Sequence, residues 1–376
     1  MPPAKTLTAP SWATARNILC IRLDSLGDVL MTTPALKALK AGRPERRITL
    51  LTSPAGARVA TLIPEIQDVI IYSSPWMKAT APRADSRYEF EMVEVLRDRF
   101  DAVVIFTVFS QNPLPAAMLA YLANIPLRLA HCRENPYQLL TDWVRETDLD
   151  VNRGVRHEVR RQLDLVSAVN CRTEDETLSL SVSSGDRENL REKLADRRLD
   201  TTLPWLVIHP GASAPSRRYR PEGFASVVST LQSVHGFQIV LTGSRDEIEL
   251  VESIRRQAGV PALSLAGCLS LRELAALIAE SPLLISNNTG PAHMAAALGT
   301  PVVDLYALTN PQHTPWQVPH RILNVDVPCR NCFKSICPHG HQDCLKKVSP
   351  EAIVTAALQL LADTPLELQC QEIGNR

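Results

Sequence analysis

Short apolar, β-branched runs alternate with stretches of helical periodicity along almost the whole chain. In the first half, Ile18 to Leu23, Ile48 to Thr52, Val69 to Tyr72, Val103 to Val108 and Leu127 to Ala130 predict strands, with helical patterns between most of them. The apolar run Leu178 to Val182 and a charged helix, Asp186 to Arg197, precede a break at Leu203-Pro204. Trp205 to His209 then starts the series again. Gln238 to Thr242, Leu263 to Ala266, Leu283 to Ser286, Val302 to Leu305 and Ile322 to Val325 continue it, separated by helices such as Leu271 to Ala279. Alternation of this kind implies right-handed crossovers and parallel sheets. The predicted fold class is α/β, with two doubly wound, Rossmann-like domains, residues 1–200 and residues 201–376, facing each other across a cleft. A length of 376 residues supports the division, because it exceeds what one hydrophobic core usually organises.

Composition narrows the classes of partner. Forty basic side chains balance forty acidic ones, and no long basic block occurs, which argues against general nucleic-acid binding and for small-molecule ligands. The first residues hold no continuous apolar core of signal-peptide length, and no segment reaches the roughly 18 apolar residues of a membrane span. The expectation is a cytoplasmic protein with at most peripheral contact at the inner face of the membrane. Neither G-x-G-x-x-G nor a Walker sequence is present, which weakens dehydrogenase and P-loop readings.

In open α/β sheets ligands bind beyond the carboxyl ends of the strands, so polar residues directly after strands carry the chemistry. The most informative is Asn287-Asn288-Thr289-Gly290, which follows an apolar strand and leads into a small-residue helix from Pro291 that Gly299 ends. A helix start of this kind aims free N–H groups and a partial positive charge at the loop, where a phosphate is stabilised. An ordinary crossover shares every feature except the polar turn and His293. The first strand runs into Arg22-Leu23-Asp24-Ser25-Leu26-Gly27-Asp28, where Ser25 and Asp28 are spaced as a capping box. A carboxylate there is also placed to accept a proton from an incoming hydroxyl. After Trp205 to His209 comes Pro210-Gly211-Ala212-Ser213, then Arg217, Arg218 and Arg220 before the Pro221 helix. Paired guanidinium contacts suit a pyrophosphate, and a solvated charge run is the alternative. Ser244 and Glu247 form another capping box, which accounts for that segment without a ribose contact from Asp246 or Glu247.

Cys20, Cys132, Cys171, Cys268 and Cys370 are scattered, whereas Cys329, Cys332, Cys337 and Cys344 are packed together near His339 and His341. Four thiols at this spacing can close a tetrahedral zinc or iron site of structural type, with free or redox-variable thiols as the alternative. Four thiolates leave no open position for catalysis.

With these segments in order, the chain from about Asn17 to Leu361 resembles glycosyltransferase family nine, the ADP-heptose:lipopolysaccharide heptosyltransferases. Ser25-Leu26-Gly27-Asp28 with Thr33-Pro34-Ala35-Leu36 is similar to the family's N-terminal glycine-loop motif, whose aspartate is the proposed base; here that is Asp28. His209-Pro210-Gly211-Ala212 followed by Arg218-x-x-Pro221 resembles its donor-phosphate loop, with Arg218 where lysine is common. Asn288-Thr289-Gly290-Pro291-Ala292-His293 resembles the donor motif, with Asn288 where aspartate is usual. The resemblance implies the GT-B fold, an acceptor site on the N-terminal domain and a nucleotide-sugar site on the C-terminal one. It also implies donor-binding roles for Gly27, Ser213, Arg218, Asn288, Thr289, Gly290 and His293.

The resulting expectation is an inverting transfer of heptose, or a related sugar, from an ADP-sugar to a hydroxyl of a lipopolysaccharide inner-core acceptor. Asp28 acts as base, no cofactor is required for catalysis, and zinc or iron is at most structural. The rivals are another nucleotide-sugar transferase or an epimerase of the same fold, and a non-enzymatic, metal-stapled nucleotide-binding protein. An epimerase turns over donor without acceptor, and a binding protein consumes nothing.

Overall fold

A computed structural model of the chain describes residues 10–78, 80–147, 156–197 and 199–364; Cys370 lies outside the described residues. The chain divides into two compact units, Met1–Glu176 and Thr177–Arg376. In the first, β1 (Asn17–Arg22), β2 (Arg47–Thr52), β3 (Asp68–Ile71), β4 (Ala102–Ile105), β5 (Leu127–Cys132) and β6 (Asp142–Arg145) form one sheet in the order β3-β2-β1-β4-β5-β6. In the second, β7 (Trp205–His209), β8 (Gln238–Leu241), β9 (Leu263–Ser264), β10 (Leu284–Asn287), β11 (Val302–Leu305) and β12 (His320–Leu323) repeat the same order, β9-β8-β7-β10-β11-β12. Every pairing among these strands is parallel. The α/β class and the paired Rossmann-like units expected from the strand pattern are therefore present.

The central strands are legible because helices cover both sheet faces, which turns each strand into a continuous apolar run. β7 and β10 are buried at every position, and β1 at all but its first. β6 escaped the sequence reading for the opposite reason: Asp142–Arg145 is an edge strand with half-buried and exposed positions in alternation, so no apolar run marks it. The helices end where the capping residues expect. Gly299 takes a left-handed conformation (φ 76°) after the helix Gly290–Leu298, and Gly259 does the same after Ile248–Ala258. The domain boundary expected at residue 200 is corrected to Glu176/Thr177. The charged helix Ser184–Asp196 packs on Leu271–Glu280 of the second unit, where Lys193 pairs with Glu273 at 2.8 Å.

Identical topology gives each unit a point where the strand order reverses, between β1 and β4 in the first and between β7 and β10 in the second. The chain leaves neighbouring strands in opposite directions there and opens a crevice beyond their carboxyl ends. Among the described residues no helix is long and apolar enough to cross a membrane.

Candidate functional site

At the first reversal point the chain leaves β1 through Leu23-Asp24 and enters the helix Leu26–Lys40 with Ser25 as N-cap. The expected capping box forms. Asp28 Oδ2 accepts from the Ser25 N–H at 3.1 Å and from the Ser25 hydroxyl at 2.6 Å. Its other oxygen accepts from Arg22 Nη2 at 3.1 Å, and the side chain keeps 13% of its exposure. The capping reading of Asp28 holds, and the capped carboxylate keeps an exposed edge.

The partner of Asp28 is the unexpected element. Arg22 is fully buried at the end of β1, with Nε 3.1 Å from Asp24 and Nη1 2.9 Å from Glu158. One guanidinium faces three carboxylates. Burial alone would drive Arg22 toward neutrality, but Asp24, Glu158 and Asp28 outweigh it and keep the group charged. Burial pushes the Asp24 carboxyl up to about 6 against the pull of Arg22, with the Asp28 charge adding to the rise. Asp24 Oδ1 also accepts from Gln111 Nε2 at 2.5 Å. Glu158 opens the helix Glu158–Ser167, whose Arg161 donates to Glu146 at 2.8 Å and to the Thr107 carbonyl after β4. The carboxylates are thereby fixed to the sheet from both sides. Beside them lies a cavity of about 280 Å³ lined by Leu23, Trp76, Met77, Thr107, Gln111 and Asn112 among others. Gly27 is buried in the first turn of the same helix, so it stands in this unit while the other donor-binding candidates stand in the second.

At the second reversal point the segments after β7 and β10 are tied together by Asn287. Its Nδ2 donates to the carbonyls of Pro210 (2.7 Å) and Gly211 (3.3 Å), and its Oδ1 accepts from the Tyr219 N–H at 3.0 Å. Sequence reasoning placed Asn287 in the polar turn and gave a binding role only to its neighbour, because an Asn-Asn pair does not reveal which member ends the strand. The next helix begins at Gly290, one residue before the expected Pro291, with extended Thr289 as N-cap. Asn288, 4% exposed, donates through Nδ2 to Asp304 Oδ2 at 3.1 Å and to the His313 carbonyl at 2.9 Å. His293 is buried on the helix. The carboxylate that the resemblance implies at position 288 is found one strand over, on Asp304. Burial raises the Asp304 carboxyl to about 7, with the Asn288 hydrogen bond and the Arg217 charge opposing the rise.

The arginine loop divides its labour. Arg218 is exposed, and its Nε donates to the Ala212 carbonyl at 2.7 Å, which curls the guanidinium back over the loop. Arg220 reaches the Lys346 carbonyl at 3.2 Å. Ser213 is exposed at the turn. A Cβ at Gly211 would stand 2.1 Å from a Glu247 carboxylate oxygen, so a side chain there would push that carboxylate aside. Glu247 itself accepts from Ser244 N at 2.8 Å, so the cap expected there forms.

Cys329, Cys332, Cys337 and Cys344 line one small cavity of about 20 Å³ together with His341. Cys329 Sγ lies 3.7 Å from His341 Nε2. Burial raises the Cys344 thiol, and Cys329, Cys337 and Cys332 add to the rise. Burial also opposes a Cys337 thiolate, but the N–H groups of Gln342, His339, Gly340 and His341 outweigh it and hold that thiol below the ordinary range. The donor set suits a soft cation in kind, yet among the described residues no group of three or more His, Cys, Asp or Glu side chains is arranged to hold a metal ion. The loop has a second attachment. Ser216 donates through its hydroxyl to the Lys334 carbonyl (2.8 Å) and through its N–H to the Ser335 carbonyl (3.0 Å), and Gln342 Nε2 donates to the Pro215 carbonyl at 2.6 Å. The cysteine segment therefore buttresses the turn that carries Arg217 and Arg218.

Comparison with known proteins agrees with this architecture. Lipopolysaccharide heptosyltransferase 2 of Salmonella typhimurium is 26% identical over 368 residues, covering 92% of this chain and 99% of that protein. Lipopolysaccharide heptosyltransferase 3 of Escherichia coli is 25% identical over 298 residues, 77% of this chain and 83% of that protein. The solved structure of the E. coli ADP-heptose lipopolysaccharide heptosyltransferase II has the same GT-B fold, with a TM-score of 0.70 at 23% identity over 92% of this chain and 99% of that one. The model of glycosyltransferase family 9 (heptosyltransferase) matches residues 91–342, a span that takes in β4 to β12 and both loops of the second reversal point. The chain belongs to glycosyltransferase family 9, and it is a glycosyltransferase enzyme.

Proposed function

We propose that the protein transfers a heptose, or a closely related sugar, from an ADP-sugar to a hydroxyl of a lipopolysaccharide inner-core acceptor with inversion at the anomeric carbon. The observation that carries this reading is Asp28, a carboxylate pinned by Arg22 and Ser25 at the first reversal point with one edge still exposed. In the reaction Asp28 takes the proton of the acceptor hydroxyl while that oxygen bonds to the anomeric carbon. The bond from that carbon to the pyrophosphate oxygen breaks, and ADP leaves with the electron pair. Charge grows on the pyrophosphate during this step. Arg218 and the N–H groups at Thr289 and Gly290 are assigned to stabilise it there, where preorganised donors cost no reorganisation. Ser213, Asn288 and His293 complete the donor site, and Gly27, in the first turn of the first unit's helix Leu26–Lys40, keeps the donor-binding role that the resemblance implies. Acceptors of this class place the enzyme at the inner face of the membrane as a peripheral protein.

The four clustered cysteines are assigned to one structural zinc or iron ion, supported by their convergence with His341 on a cavity large enough for a single ion. The thiols would have to draw inward to ligate it. Its effect would be to stiffen the segment that buttresses Pro215–Arg217, upstream of the chemical step. The direct test of the whole reading is to incubate the enzyme with ADP-heptose and a heptose-deficient core acceptor, following ADP release and the anomeric configuration by NMR. Acceptor-dependent release with inverted configuration is expected. Donor consumption without acceptor would turn the assignment toward an epimerase, and binding without consumption would remove the activity.

A further inference from the structure

A carboxylate at position 304 has no explanation in the fold. The strand Val302-Val303-Asp304-Leu305 is otherwise apolar and buried at every position, and Asp304 is 0% exposed. Burying a carboxylate is costly unless hydrogen bonds compensate, and here Oδ1 has no hydrogen-bond partner among the described residues. Its other oxygen has one conspicuous partner, the Asn288 side-chain amide. Asn288 donates both amide hydrogens inward, one to Asp304 and one to the His313 carbonyl. Two acceptors at those positions fix which branch of the amide is nitrogen, because an oxygen there would face oxygen on both sides. A planar amide so held turns Oδ1 away from both of those acceptors, on a residue that stands two positions before the helix Gly290–Leu298.

We propose that Asp304 is a positioning residue for the donor site: it holds the Asn288 amide so that Oδ1 is presented as a fixed acceptor for a hydroxyl of the bound sugar nucleotide, next to the helix N–H groups that take its phosphate. The proposal rests on the reading of the second unit as the sugar-nucleotide site. Asn288 and Asp304 then act as one unit in which a carboxylate and an amide are interchangeable only as a pair. Replacing Asn288 alone by Asp sets two carboxylates against each other. Replacing Asp304 alone by Asn frees the Asn288 amide to turn. Exchanging both restores one carboxylate and one amide in hydrogen-bond reach, and leaves only the His313 carbonyl without the amide hydrogen it accepts in wild type.

The test measures ADP affinity by calorimetry together with kcat and donor KM for four proteins: wild type, Asn288→Asp, Asp304→Asn and the double exchange. Each single variant should lose about 10- to 100-fold in kcat/KM for donor, as expected for one charge-assisted hydrogen bond, with folding checked by thermal melting. The double exchange should recover donor KM to better than either single variant, though short of wild type because the carboxylate at position 288 then faces the His313 carbonyl. Singles that both match wild type, or a folded double variant no better than the worse single, would overturn the proposal. Should wild type itself fail to bind ADP, the assignment of the second unit falls instead, and the positioning role falls with it.

Discussion

The two reversal points share one topology and hold opposite chemistry. At the first, a buried arginine is surrounded by Asp24, Asp28 and Glu158, so the local balance is negative and the exposed edge is a carboxylate. At the second, strand ends give way to amides, a helix start and the arginines of the Arg217–Arg220 turn, so the exposed groups are donors. A proton acceptor and an anion cradle are the two things a sugar transfer from a nucleotide needs. What the comparison teaches is that the strand order fixes where a crevice forms, while the few residues directly after the strands decide what that crevice can do.

The comparison breaks most sharply at Asp28. Asp28→Asn should lower turnover by about 10²- to 10⁴-fold, the usual cost of losing general-base help, and steady-state transfer assays check it. Next in size is Arg22→Met, which leaves three carboxylates facing one another without a cation. Such a broken buried network costs about 3–5 kcal/mol of stability, to be read from urea denaturation at neutral pH. On the other side of the comparison, Arg218→Ala should weaken donor binding by about 1.5–3 kcal/mol and slow transfer with it; unchanged affinity and turnover would move that role to Arg217.

Two smaller effects sharpen the picture. Metal analysis of protein purified without chelators should find about one zinc or iron per chain, and Cys332→Ser should lose the metal and lower Tm while raising donor KM more than it lowers kcat. Absence of metal together with four titratable thiols in the native protein would dismiss the ion. Asp24 titrates near 6 in the folded chain, above its ordinary value of 3.8, so the folded state binds the extra proton between those limits. Stability from this group is present below about pH 4 and lost as pH rises through about 6, and Asp304 acts the same way up to about 7. Wild type should therefore lose stability from pH 4 to 7. Asp24→Asn should flatten the lower part of that slope by on the order of 1 kcal/mol; an unchanged slope would place the titration elsewhere.

How much of this was legible in the sequence follows from burial. Strands covered on both faces read as apolar runs and were located to within a few residues, and the exposed-edge strand Asp142–Arg145 was not. The Ser25–Asp28 box and the Gly299 cap were legible because capping depends on neighbours three or four residues away. Glu158 could not be paired with Arg22 in advance, since 136 residues separate them and only the topology brings them together. Arg22 and Asp304 did carry a signal: each is a lone charge in a strand that is otherwise apolar, and each proves to hold a neighbour at a crevice.

The most direct test of the division between the two reversal points is a calorimetric titration of ADP into wild type, Asp28→Asn and Arg218→Ala, paired with turnover of the same preparations. ADP affinity should be unchanged in Asp28→Asn, whose turnover collapses, and weaker in Arg218→Ala. Loss of ADP affinity in Asp28→Asn with near wild-type affinity in Arg218→Ala would contradict the account.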